Sequence, residues 1–518
     1  MPLLHGASLR ALLAGAAVAH LSSSPIVRAS PCAPPQPLRL RAFASHSASE
    51  PPPPPPSSPS PSPSTSRVLA SAAAACDCEE GAKPAICTAD ELHYAPVPGT
   101  EWRLALWRYR PPPEAPKRNH PLMLLSGVAT NAVGFDLSPG ASFARHMSMQ
   151  GFDTWIVELR GAGLSTRGSE LAAASTKSDM SSNSELVPDA SLTSSLEEVA
   201  DKFLGLMELP QTSAIYDQIS QLSQRLVKIL GEGQQNVSPR LFGWQERLSA
   251  TIEDLQKQLE LIISYDWDFD HYLEEDVPAA IDYIKQQSVP KDGKLLAIGH
   301  SMGGILLYAM VSKCGFEGAD PELAAIVTLA SSVDYTTSNS SLKLFVPLAD
   351  PAEMLRVPAV PLGTLLSTTY PISSRAPYIL SLLRSQISAK DMMDPELLSK
   401  LILNNFCTVP AKVLLQLATS FRDGGLRNRA GTFFFKEHLR KIKVPVLALA
   451  GDEDLICPPE AVYETVKVIP QHLVTYKVFG KPEGPHYAHY DLVGGRKAVH
   501  EVYPCIIEFL SQHDDVSS

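Results

Sequence analysis

The chain has 518 residues, of which 19% are charged, and a formal net charge of −11. That balance offers no polyanion-binding surface and argues against nucleic acid as a partner. Its 45 prolines and a biased N-terminus leave less globular chain than the length allows.

Residues 1–49 contain no Asp or Glu, carry Arg10, Arg28, Arg39 and Arg41, and are rich in Ala and Ser. This is the composition of an organellar transit peptide. A secretory signal would use the apolar stretch Ala11–Ala19, but that stretch is short and the arginines and serines run well past it. Chloroplast (plastid) import is therefore expected first, mitochondrial import second and secretion last. Pro51–Pro56 and the Ser/Pro tract to Ser66 are too polar and proline-bound to pack, and read as a spacer. The expected division is leader and spacer over 1–91, a folded domain over 92–512 and a tail over 513–518. No run approaches the ~20 apolar residues of a membrane span, so the mature chain is expected to be soluble, with peripheral membrane contact left open.

Eight cysteines occur. Cys314, Cys407, Cys457 and Cys505 are scattered, as buried small hydrophobes or unpaired thiols are. Cys76, Cys78 and Cys87 cluster near His93, but no fourth ligand stands at zinc-site spacing, so no metal is expected.

The alternation of Glu101–Tyr109 predicts a half-buried antiparallel strand opening the sheet at an edge. Pro121–Leu125 and Thr154–Leu159 are continuous apolar runs, as buried parallel strands are, with a helix expected over Ala141–Gln150 between them. Ala324–Leu329, Val446–Ala450 and Val474–Phe479 extend the series, and Ala498–Ser511 suits a closing helix. The pattern is α/β: a mostly parallel sheet with helices on both faces.

Two stretches break the alternation and are expected to be insertions. The first, at about 165–266, is Ser-rich and then carries two apolar stripes, Ile215–Ile219–Leu222–Leu226–Ile229 and Leu248–Ile252–Leu255–Leu259–Ile262. These predict a helical hairpin, with a dimerising or membrane-surface role as the alternative. The second, at about 333–435, follows a core strand where a cap over a site would sit.

The most informative segment is Gly299-His300-Ser301-Met302-Gly303, set between the apolar run Leu295–Ile298 and the helix-forming Ile305–Ala309. A serine on a tight strand-to-helix turn needs neighbours without bulk, and Gly299 and Gly303 meet that need. Serine alone is a poor nucleophile and requires a base and an orienting acid. Downstream, Gly451–Pro459 follows a strand and places three carboxylates in a turn. Pro485–Asp491 follows the next strand and carries His486 and His489. The order is then Ser, Asp, His.

These motifs together resemble the α/β-hydrolase superfamily: the elbow at Gly299–Gly303, Gly-x-x-Asp at Gly451–Asp454 and His-x-Asp-Leu at His489–Leu492. Gly151–Trp155, Arg160–Gly161 and Asp276–Ile284 resemble its acid-lipase and polyhydroxyalkanoate-synthase-like branches. The resemblance implies an α/β-hydrolase fold, with Ser301 as nucleophile, His489 as base and Asp454 as orienting acid. His486 is the rival base and Asp334 the outside alternative for the acid. Asp452 and Glu453 read as solvated turn residues, and His300 as a packing residue. One oxyanion donor is expected to be the Met302 N–H. The other falls in the loop after Leu125, where family members often carry His-Gly and this chain has Ser126-Gly127-Val128, which makes the Val128 N–H the candidate. The expected function is a serine hydrolase for carboxylic esters, lipid-like and cofactor-free. The alternatives are an acyltransferase built on the same acyl-enzyme, disfavoured as a synthase because those enzymes use cysteine at the Ser301 position, and a non-catalytic scaffold.

Overall fold

The computed structural model describes residues 86–168, 265–348, 359–364 and 385–515. The leader, the spacer, Cys76, Cys78 and both amphipathic stripes of the first insertion lie outside the described residues. The main strands are β1 (Glu91–Pro96), β2 (Trp102–Tyr109), β3 (Leu122–Leu125), β4 (Thr154–Val157), β5 (Leu295–His300), β6 (Leu323–Leu329), β7 (Val446–Gly451) and β8 (Val474–Phe479). They lie side by side in the order β1-β2-β4-β3-β5-β6-β7-β8. From β4 to β8 all neighbours are parallel, while β2 runs antiparallel to both β1 and β4. The pair Thr166–Arg167 adds to β2 at Trp102–Arg103.

The continuous apolar runs form buried parallel strands because both faces are covered: every residue of β3, β4, β5 and β7 is buried. Alternate side chains divide between two cores. One face carries Leu122, Leu124, Ile156, Leu296, Ile298 and Leu447, under helices α1 (Phe143–Met149), α6 (Pro459–Val466) and α7 (Ala498–Gln512). The other carries Met123, Leu125, Trp155, Leu295, Ala297 and Val446, under α2 (Val277–Ser288) and α3 (Met302–Glu317). At roughly 25 cal/mol per Å² of apolar surface, these two layers are the main stabilising term.

Two differences from expectation have physical reasons. The sheet opens one strand earlier, at β1, whose Glu-Leu-His-Tyr-Ala-Pro sequence is half-exposed and weakly apolar, so β2 is internal and mostly buried instead of an edge. The helix expected over Ala141–Gln150 begins at Phe143, because Ser142 is extended and its hydroxyl accepts the Arg145 N–H as an N-cap. After the first undescribed segment the described chain resumes at Tyr265, and the ring of Trp267 lies against Gly161, where a Cβ would come within 2.5 Å of it. A π turn at Tyr272–Asp276 then leads into α2.

Within the second insertion, Ala359–Pro361 pairs antiparallel with Thr408–Pro410. The helices α4 (Pro395–Asn404) and α5 (Ala411–Ala418) flank that pairing. The end of α4 reaches back to the loop after β3 through the bridge Thr130↔Phe406. Among the described residues, no helix is long and apolar enough to cross a membrane.

Candidate active site

Ser301 stands between the end of β5 and the first residue of α3 with φ 53° and ψ −120°. A non-glycine residue there is strained by about 1–3 kcal/mol, so the surroundings must hold it. They do: the Ser301 N–H donates to the Leu329 carbonyl at 2.9 Å, and the Ser301 carbonyl accepts from the Ser331 hydroxyl at 2.9 Å and from the Gly304 and Ile305 N–H groups at 3.1 Å. The glycines are sterically required. A Cβ on Gly299 would sit 2.3 Å from the Gly304 nitrogen, and one on Gly303 would sit 2.1 Å from the Leu125 carbonyl oxygen. Gly304, which the sequence reading left aside, is equally constrained, at 2.2 Å from Ser331 Oγ.

Asp454 and His489 arrive from the loops after β7 and β8 and meet with Nδ1 2.8 Å from Oδ2. Both side chains are buried, at 0% and 4% exposure, which excludes water from their bond. The other carboxylate oxygen of Asp454 accepts the Ile456 and Cys457 N–H groups at 2.9 and 2.8 Å, so the acid is fixed from both ends. The rivals are occupied elsewhere. Asp334 pairs with Lys436 and accepts from the Thr336 N–H at 2.8 Å. His486 lies 2.6 Å from Asp452 on the exposed side of the same turn. Asp452 is thus a correction to the reading as a solvated turn residue: it binds His486 and also accepts the Tyr487 N–H at 2.9 Å. The Asp452 contact outweighs desolvation and raises the His486 pKa.

His300 also departs from simple packing, because its Nε2 lies 3.0 Å from the His489 carbonyl oxygen. The loop after β3 approaches the same centre, where a Cβ on Gly127 would lie 3.7 Å from Ser301 Oγ. Among the described residues, neither the Val128 N–H nor the Met302 N–H has a protein acceptor, and Met302 opens a helix, where N–H groups have no intrahelical partner. The loop is restrained instead through its other groups. Thr130 Oγ1 donates to the Gly127 carbonyl at 2.9 Å, and the Ala129 carbonyl, at a residue with φ 53°, accepts the Cys407 N–H at 2.7 Å.

Two partners of this loop escaped the sequence reading. Glu158, at the end of β4, is 2% exposed and accepts the Ala132 N–H at 2.9 Å and the Leu164 N–H at 2.7 Å. Burial pushes its pKa up, against the pull of those two N–H groups. The available signal was a single acid ending an apolar strand. Asn405, fully buried after α4, accepts the Asn131 N–H on its carbonyl at 3.0 Å and donates from Nδ2 to the Tyr490 hydroxyl at 2.9 Å. Nothing in the local pattern marks it. Among the described residues, no group of three or more His, Cys, Asp or Glu side chains could hold a metal ion.

The strand order, the turn at Ser301 and the loops after β7 and β8 define a class. The chain belongs to the α/β-hydrolase fold family, whose profile matches residues 120–491. A comparison with curated proteins finds no match. Among solved structures, the chain is similar to a soluble variant of the monoglyceride lipase of Saccharomyces cerevisiae in complex with a substrate analog, at 12% identity and TM-score 0.45, covering 84% of this chain and 99% of that one. It is also similar to the monoacylglycerol lipase of Paleococcus ferrophilus, at 12% identity, TM-score 0.42 and coverage of 79% and 99%. An esterase from Thermogutta terrifontis matches at 14% identity, TM-score 0.40 and coverage of 82% and 100%. No argument about substrate rests on these likenesses.

Proposed function

We propose that the protein is a serine hydrolase of carboxylic esters, with Ser301 as nucleophile, His489 as general base and Asp454 as the acid that orients it. The observation that carries this reading is the buried Asp454–His489 bond, joined through the His300–His489 carbonyl contact to the strand end that presents a serine held at φ 53°. Asp454 accepts the Nδ1 proton of His489, which leaves Nε2 free to take the hydroxyl proton of Ser301. Ser301 Oγ then attacks the ester carbonyl, and the resulting oxyanion is received by the N–H groups of Met302 and Val128, each worth about 3 kcal/mol. Collapse breaks the bond to the alcohol oxygen, which takes the proton from His489, and an acyl-enzyme remains. Water, deprotonated by His489, attacks that acyl group and releases the acid and free Ser301.

A lipid-like acyl ester is the proposed substrate class, motivated by the apolar composition of the second insertion. A panel of p-nitrophenyl and glyceryl esters of increasing chain length, run on wild type, Ser301→Ala and His489→Ala, tests the reading. Turnover by wild type, preference for longer chains and loss of turnover in both variants are expected. Activity that survives in Ser301→Ala contradicts the assignment, and product that appears only with an added alcohol points to acyl transfer. Plastid import is proposed from the acid-free leader; a fluorescent fusion of residues 1–91 that stays outside plastids contradicts it.

A further inference from the structure

His300 ends β5 directly before Ser301, and its ring is buried. An apolar side chain would fill such a place without the cost of desolvating an imidazole. What the imidazole adds is a hydrogen bond to a residue 189 positions away, the 3.0 Å contact from Nε2 to the His489 carbonyl. A carbonyl only accepts, so Nε2 carries the proton. Burial, with the nearby His489 as the second cause, pushes the His300 pKa down to about 3, and the ring stays a neutral donor.

The ring also packs against two others, both tilted to it. Its centroid lies 4.8 Å from that of His489 and 4.6 Å from that of Tyr490. Tyr490 is held by Asn405, which also accepts the N–H of Asn131 in the loop after β3. His300 and Tyr490 share the walls of one small cavity with Ser126, Gly127 and Thr130. The nucleophile turn, the histidine loop and the Val128 loop therefore converge on His300.

We propose that His300 is a positioning residue whose Nε2–H bond to the His489 carbonyl sets the place of the His489 ring relative to Ser301 Oγ. This inference rests on the proposed serine-hydrolase chemistry. Proton transfer requires heavy atoms about 2.6–3.2 Å apart, and a misplacement of about 1 Å costs about 100-fold in rate. In that chemistry His489 must reach Ser301 from another loop, and a bond from the side chain next to Ser301 to the His489 backbone is the direct way to hold that distance. His300 does not touch the reacting atoms.

The test uses side-chain reach. The amide nitrogen of Gln extends to about the position of His Nε2, whereas that of Asn falls short at Nδ1. His300→Gln, His300→Asn and His300→Leu are compared with wild type for kcat and KM on a short-chain p-nitrophenyl ester, with thermal melts of each. His300→Gln is expected to stay within about threefold of wild type. His300→Asn and His300→Leu are expected to lose about 10- to 100-fold in kcat with KM within about twofold. Wild-type kcat in His300→Asn overturns the proposal, as does a loss in His300→Gln equal to that in His300→Asn at unchanged melting temperature. If His300→Leu fails to fold, the Gln and Asn pair decides. A fluorophosphonate probe on wild type separates the two levels: a wild type that is neither labelled nor active overturns the serine-hydrolase reading itself, and this proposal with it.

Discussion

Replacing Asp454 with Asn is predicted to abolish most activity without unfolding the protein. One carboxylate oxygen receives two backbone N–H groups, from Ile456 and Cys457, and the other receives His489 Nδ1. In the variant the amide oxygen must stay on the backbone side, because an NH₂ group there would face two donors. The NH₂ then faces His489, whose Nδ1 must become an acceptor, and the ring proton moves to Nε2. That tautomer cannot take the Ser301 proton. The expected loss is about 10⁴ in kcat, or about 5 kcal/mol of transition-state stabilisation at 1.36 kcal/mol per decade. The backbone bonds survive, so the melting temperature should hardly move. Asp454→Ala instead orphans two N–H groups, one of them at buried Cys457, and should cost about 1–3 kcal/mol of stability for each. Ester turnover and thermal melts on both variants check this, and an Asp454→Asn enzyme within tenfold of wild type would refute the reasoning.

Two further predictions concern stability. Asp276→Asn should destabilise the fold by about 3 kcal/mol, the low end for a broken buried pair, because Glu275 still faces Arg160. Arg160 and Asp276 are 4% and 0% exposed, with Arg160 Nε 2.8 Å and the Arg160 backbone N–H 2.9 Å from the Asp276 carboxylate; urea melts showing under 1 kcal/mol would contradict it. His120 lies 3.1 Å from both Asp514 and Asp292; burial lowers its pKa, the two carboxylates outweigh that, and the net shift is upward. A raised histidine stabilises fully below its unfolded pKa of about 6.5 and loses that contribution as pH rises through its folded value. The stability gap between wild type and His120→Asn should therefore narrow as pH rises from about 6 to 8.5, and a gap that widens with pH contradicts it.

Features with a local signature were legible in the sequence. The parallel strands announce themselves as unbroken apolar runs because two helical layers cover them. The turn at Ser301 announces itself because Gly299 and Gly303 leave no room for a Cβ. Asp454 and His489 follow successive strands, and their side chains meet. Features set by distant partners were not legible. β1 is half-exposed and carries no periodic apolar pattern, so the sheet edge was put one strand late. Asp452 looks solvated until His486 folds over it. Glu158, Asn405 and His300 act through bonds to Ala132, Tyr490 and His489, none of which leaves a spacing to read.

The central claim is that Ser301 is the nucleophile, and covalent capture tests it most directly. The mature protein is treated with a fluorophosphonate probe and the modified peptide is located by mass. A single adduct on Ser301 is predicted, absent in Ser301→Ala and strongly slowed in His489→Ala. An unmodified wild type, or an adduct that persists in Ser301→Ala, would contradict the account.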